Sequence, residues 1–315
     1  MISKNDKIFI AGHNGLVGSA ILRNLKKRHY NKVIVADKRK LDLLDQKKVF
    51  NFLRSKKPKI VIIAAAKVGG IKANDKFRAD FIRENLCIQN NLIHGCFANG
   101  IKRIIFLGSS CVYPKKCKKP IKEEYLLTGE LEKTNEPYAV AKIAGIKMCE
   151  SYNLQYKTQY LCLMPTNTFG PGDNYNSFSS HFIPSILKKI YIAKLKNKKS
   201  INLWGTGRAK REVVYVEDLA DAVIHFMNKS VKHTLINIGT SQERSIHQFG
   251  KLILKTLGIK LQLKFNGNKK LDGMKSKVMD ISLAKKYGWK AKTKLEYAIA
   301  ETYDDLKNNF KYSRH

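Results

Sequence analysis

Gly12-His13-Asn14-Gly15-Leu16-Val17-Gly18 follows the apolar run Lys7 to Ala11 and opens a helical stretch, Leu16 to Arg28. In such a turn the first glycine permits the sharp reversal, the second lets backbone approach a pyrophosphate, and the third lets helix and strand pack closely. The helix N-terminus then offers N–H donors and a partial positive charge to the phosphates. A glycine triplet alone is a turn with no ligand. Its place between a strand and a helix, near the N-terminus, makes it a dinucleotide site lined by Gly12, Asn14, Gly15, Leu16, Val17 and Gly18. Nineteen residues past Gly18 stands Asp37, where an acid would bind the adenosine ribose hydroxyls of NAD. Lys38, Arg39 and Lys40 follow it, and cations there hold a 2′-phosphate, so the expected cofactor is NADP(H).

Outward from this turn the first half alternates β-branched runs with helical stretches. Lys32 to Ala36, Lys59 to Ala65, Arg103 to Leu107 and Gln159 to Leu163 read as strands. Helices are expected from about Lys76 to Asn99, ended by Gly100, and from Pro137 to Tyr156. That pattern predicts an α/β chain with a Rossmann-type, doubly wound parallel sheet. After Pro165 the texture changes to a turn at Gly170-Pro171-Gly172-Asp173, a polar loop from Asn174 to Ser180 and a basic helix from His181 to about Lys196. Glu212 to Val216 and Leu235 to Ile238 read as strands able to rejoin the main sheet, around a helix from Asp218 to Met227. Helices near Ile246 to Leu257, Ile281 to Tyr287 and Leu295 to Asn308 complete a smaller, mostly helical substrate lobe. The expected division is 1–165 with about 213–239 for the dinucleotide, and 166–212 with about 240–315 for the substrate.

At 315 residues and 43% hydrophobic, the chain has ample material for a core, which sets disorder aside. Its apolar runs, such as Ile60 to Ala66, are too short to span a bilayer, and the first residues carry no signal-peptide stretch. A cytoplasmic enzyme with no membrane contact is expected. Six cysteines show no CxxC pair, so reduced thiols fit better than disulfides or a metal site. The net charge of +35 would favour polyanions. Its lysines are spread along the whole chain, with no interleaved stripe of stacking aromatics. We read a compositional drift that helps recruit anionic small ligands, with no nucleic-acid partner.

The chemistry is carried by Tyr138-Ala139-Val140-Ala141-Lys142, which puts Tyr and Lys on one face of a helix. A free tyrosine titrates near ~10; a cation beside it should bring the phenol towards a working value. An isolated YxxxK means little. Ser109, at the carboxyl end of a parallel strand, adds weight, because doubly wound sheets place their sites there.

With these motifs together, the chain resembles the extended short-chain dehydrogenase/reductase family. The blocks Ala64 to Ile71, Leu107-Gly108-Ser109-Ser110-Cys111-Val112-Tyr113-Pro114, Asn135 to Gly145 and Met164-Pro165-Thr166-Asn167 carry the likeness, which runs from about Lys7 to Asn309. They resemble most the members acting on GDP-sugars. This implies conversion of GDP-4-keto-6-deoxy-D-mannose to GDP-L-fucose, by epimerisation at C3 and C5 and NADPH reduction at C4. By the same resemblance, Ser109, Cys111, Tyr138, Lys142 and His181 are catalytic, with Cys111 and His181 as the base–acid pair. Leu107, Gly108, Lys142, Pro165, Thr166, Asn167 and His181 would contact the cofactor, and Lys189, Trp204, Arg211 and Asp272 the substrate. The resemblance also implies a homodimer paired through long helices of the first lobe. The chain departs from the family's pattern at Asn14, where an arginine is common, and at Asp37, where NADP-selective members are neutral or basic. The competing readings are a nucleotide-sugar dehydratase or simple 4-epimerase, and a non-catalytic dinucleotide- or RNA-binding module. A dehydratase would need an acidic pair where this chain has Ser110-Cys111, and the Ser109–Tyr138–Lys142 set argues against the binding module.

Overall fold

A computed structural model describes residues 2–176, 179–269, 272 and 274–309. Ser177 and Phe178 of the expected polar loop, and 310–315 of the expected second lobe, lie outside the described residues. The first half runs β1 (Ile8–Ala11), α1 (Leu16–Lys27), β2 (Val33–Val35), α2 (Gln46–Lys56), β3 (Ile60–Ile63), α3 (Ile71–Lys76), α4 (Arg78–Ala98), β4 (Arg103–Leu107), α5 (Glu136–Tyr156) and β5 (Gln159–Pro165). Next come β6 (Asn167–Phe169), α6 (Phe182–Leu195), β7 (Ser200–Leu203), β8 (Lys210–Tyr215), α7 (Val216–Met227) and β9 (Leu235–Ile238). The chain closes with β10 (Glu243–Ser245), α8 (Ile246–Thr256), β11 (Gln262–Phe265), α9 (Ser282–Lys286) and α10 (Leu295–Asn309).

The main sheet is parallel throughout, in the order β2-β1-β3-β4-β5-β9. Ile8–Ala11 and Ile60–Ile63 are buried at every position, as strands covered on both faces must be. One face is covered by α1 and α7, the other by α2, α4 and α5. Arg23 bonds Glu217 at 2.5 Å across the α1–α7 contact, and Arg28 pairs with Asp221. Because the second and third strands lie on opposite sides of β1, the sheet has its switch point, and its ligand crevice, at the carboxyl ends of β1 and β3.

Several boundaries differ from the sequence reading. The helix expected from about Lys76 to Asn99 is α4; the short helix α3 before it was not expected, and Phe77, whose φ of −110° and ψ of 42° leave the helical region, separates the two. The strand expected from Glu212 does not rejoin the main sheet; β8 pairs with β6 and β10, and only β9 docks beside β5. The part expected to form a mostly helical lobe has helices α6, α8, α9 and α10 but also two small sheets, β10-β8-β6 and β11-β7, and α9 lies against β9 of the main sheet. α2 was not foreseen, because its residues are mostly polar and only Val49 and Leu53 are buried. Its N-cap, Asp45, accepts from Lys48 N. Among the described residues no helix is long and apolar enough to cross a membrane.

Candidate active site

The glycine turn sits at the switch point. Gly12 has φ +90°, and a Cβ there would lie 2.6 Å from Ala65 N. A Cβ on Gly18 would lie 2.1 Å from the carbonyl oxygen of Gly12. Gly15 caps α1 with no side-chain acceptor, and the first turn holds no acidic residue, so its amides face outward without an internal anion. Asn14 is exposed; Leu16 and Val17 are half-buried against the core. These are the features a pyrophosphate requires. Beyond β2, Asp37 accepts from Lys40 N at 3.3 Å, closing a turn that leaves Lys38, Arg39 and Lys40 exposed.

At the end of β4, Leu107 and Gly108 are buried, and a Cβ on Gly108 would meet Met164 Cε at 2.0 Å. The Ser109 hydroxyl accepts from Cys111 N at 3.2 Å and reaches Tyr138. Cys111 therefore sits on a short 3-10 turn, Ser110–Val112, whose start is tied by the serine beside the phenol. Burial pushes the Tyr138 phenol well up, with the nearby Cys111 adding to it and the Ser109 bond opposing it. That corrects the expectation that Lys142 brings the phenol down. Lys142 Nζ instead donates to Leu107 O at 2.8 Å and lies 5.9 Å from the Tyr138 ring centroid. Burial brings the Lys142 ammonium down to about 8. The pair thus presents a protonated phenol, the form that donates a proton.

Across the cleft, His181 precedes α6 as its N-cap residue. It is open to solvent on one side, yet enough protein surrounds the imidazole to desolvate it, and Lys277 adds like-charge repulsion; both lower its pKa. Lys277 Nζ lies 3.5 Å from Cys111 Sγ. The two partners of the expected base–acid pair thus face one lysine. Pro165 ends β5; Thr166 Oγ1 and Asn167 Nδ2 both donate to Glu212 O, which turns these two side chains towards β8.

The four expected substrate positions form one chain of contacts in the second lobe. Lys189 Nζ lies 5.2 Å from the Trp204 ring and donates to Asn202 O. Asp272 accepts from Thr206 N and Oγ1, holding the turn that follows Trp204. Arg211 spends its guanidinium on the carbonyls of Lys210, Met274 and Asp272. It braces Asp272 and Met274 rather than presenting a free fork. Among the described residues no cluster of three metal-ligating side chains occurs.

Residues 8–239 match the NAD dependent epimerase/dehydratase family. The chain belongs to this family. Within it, the chain is 44% identical to the GDP-L-fucose synthase of Sinorhizobium fredii, with 96% of each chain covered. It is 42% identical to the GDP-L-fucose synthase of Escherichia coli K12, covering 94% of this chain and 95% of that one. A GDP-L-fucose synthetase structure from Naegleria fowleri, bound to NADP, superposes with a TM-score of 0.90 at 28% identity, over 100% of this chain and 96% of that one.

Two residues of this epimerase/dehydratase family member were missed by sequence reasoning. Lys277 is one of many lysines and stands in no motif; only its 6% exposure separates it from them. Glu212 is fully buried, and its carboxylate accepts from the backbone N–H groups of Thr240, Ser241 and Met279. Burial still raises its pKa to about 6 against those bonds. An acid directly ahead of the apolar run Val213-Val214-Tyr215 of β8 was the available signal.

Proposed function

We propose that the chain converts GDP-4-keto-6-deoxy-D-mannose to GDP-L-fucose, epimerising C3 and C5 and then reducing C4. The observation that carries this is the meeting of two sets at one cleft: Ser109, Tyr138 and Lys142 with Cys111, and Lys277, which bonds Cys111 and whose charge also reaches His181. The names of relatives above 40% identity agree with it.

The C3 and C5 protons flank the C4 ketone, so each becomes acidic when the developing enolate oxygen is stabilised. Ser109 and the Tyr138 phenol donate to that oxygen. Cys111 takes a proton from one face and His181 returns one to the other, which inverts the centre. Bound NADPH supplies the hydride that reaches C4. Tyr138, held protonated by burial, gives its proton to the C4 oxygen. Lys142, anchored on Leu107 O, supports Tyr138 and holds the nicotinamide ribose. Lys38 and Arg39 take the 2′-phosphate, for which their exposure beyond β2 suits them. His181, Pro165, Thr166 and Asn167 would contact the bound cofactor. Lys189, Trp204, Arg211 and Asp272 form the wall against GDP.

In this reading 1–165 with about 213–239 carries the cofactor, and 166–212 with about 240–315 the substrate. The enzyme works in the cytoplasm as a homodimer, without nucleic acid. The pairing is supported by exposed apolar groups on α5, with Leu154 69% and Tyr156 43% exposed beside Phe97 of α4.

The test supplies GDP-4-keto-6-deoxymannose with NADPH or NADH, follows cofactor oxidation and identifies the sugar formed. GDP-L-fucose with NADPH preferred is the expected result; no oxidation with either cofactor refutes the reading. Cys111→Ser should slow deuterium exchange at C3 and C5 by at least ~10-fold while hydride transfer changes far less. Equal loss of both would remove Cys111 from the base role.

A further inference from the structure

We propose that Lys277 is the positioning residue of the epimerising half of the site: its ammonium bonds the Cys111 sulfur and stabilises it in the anionic form that takes the proton. This rests on the function proposed above. Lys277 is 6% exposed, and among the described residues no carboxylate pairs with it. A buried ammonium without a counter-charge is costly, and such groups persist where an anion forms beside them. The acceptor within reach is Cys111 Sγ, at 3.5 Å.

The position of Lys277 is set by backbone. Its carbonyl accepts from Glu212 N at 3.2 Å, and two residues on, Met279 N donates to the Glu212 carboxylate at 2.7 Å. From the other side Ile121 N donates to Val278 O at 2.8 Å, and Ile121 O accepts from Asp280 N at 2.8 Å. Four hydrogen bonds from two directions therefore hold the short segment that carries the lysine. Cys111 is held separately, by the Ser109 hydroxyl. The ammonium and the sulfur meet because each backbone is fixed on its own. The same charge bears on His181, so a single cation biases both partners of the proton exchange. A cation beside sulfur raises the share of reactive thiolate.

The first test needs no sugar. Wild-type protein is treated with iodoacetamide at neutral pH, and modification of Cys111, Cys87 and Cys117 is followed by peptide mass spectrometry. Cys111 should alkylate at least ~10-fold faster than the other two, which are also half-buried. Lys277→Met should abolish that advantage, and Lys277→Arg should keep it within about threefold. An unchanged Cys111 rate in Lys277→Met, or no advantage in the wild type, overturns the proposal. The second test separates the half-reactions, with deuterium exchange at C3 and C5 on one side and oxidation of GDP-L-fucose by NADP⁺ on the other. Lys277→Met should lower exchange at least ~10-fold and leave hydride transfer within about twofold, and Lys277→Arg should restore exchange. Equal loss of both, or a rise in KM alone, refutes it and makes Lys277 a ligand for the diphosphate. Should the wild type turn over no GDP-sugar, the proposed function fails while the alkylation ratios still decide for or against the lysine.

Discussion

Tyr138 and Lys142 were legible as a pair from their spacing, yet their electrostatics were not. Spacing puts both on one helix face, whereas burial decides that the phenol stays protonated and that the lysine bonds Leu107 O. Tyr138→Phe keeps the ring's packing against Phe81 and removes the proton donor. It should lower the reduction rate by about 10²–10⁴-fold with little change in melting temperature, measured by cofactor oxidation and thermal unfolding. Asp173 is a second residue whose state only the fold sets. Its Oδ2 is buried without a hydrogen-bond partner, and burial, with Asp305 repelling it, raises the carboxyl to about 7. Between its ordinary 3.8 and about 7, the folded chain binds a proton that the unfolded chain has lost, so stability falls as pH rises through that window. Asp173→Asn keeps an acceptor for Asn174 N and cannot ionise. It should raise the melting temperature by a few degrees at pH 8 and by less at pH 5, as scans at the two pH values would show.

Among elements, β1 and α1 were readable because one short stretch carries strand, turn and helix start together. The tertiary contacts explain why each glycine stands there: Gly12 lies against Ala65 after β3, and Gly18 against Gly12 itself. Gly18→Ala would drive a Cβ into backbone that cannot rotate away. NADPH affinity should fall at least ~10-fold, read as loss of the thermal shift on adding the cofactor. An unchanged shift would show that the turn yields without losing its ligand. The small strands were harder to see. β6, β7, β10 and β11 have three or four residues each, too few for a period of two to stand out from loop. α2 hid for a related reason: its two buried positions, Val49 and Leu53, make too thin a stripe in a lysine-rich stretch.

For the whole molecule, the charge of +35 is the property most visible in composition and least tied to any one contact. Positive charge around a cleft raises the encounter rate with an anionic GDP-sugar, and salt screens it. kcat/KM for the keto-sugar should fall about tenfold between ~20 mM and ~300 mM NaCl, mostly through KM, whereas kcat should hold. Steady-state assays across that range check it; salt-independent kcat/KM would leave the charge without a part in substrate capture. A basic cavity of about 520 Å³, lined by Lys4, Arg28, Lys229 and Lys290, lies at the opposite, amino end of the strands, away from the chemistry. What the sequence determined by itself was the local grammar: glycine turn, strand-end serine, YxxxK helix, and the buried runs that make a parallel sheet. These depend on residues within a few positions of one another, so spacing suffices to read them. The tertiary structure alone decided which distant groups share a field. It brought Lys277 to Cys111, turned Arg211 onto the carbonyls of Asp272 and Met274, and put Asp173 beside Asp305. Such pairings join residues more than sixty positions apart and depend on burial, which strips water from a charge and makes its neighbours matter.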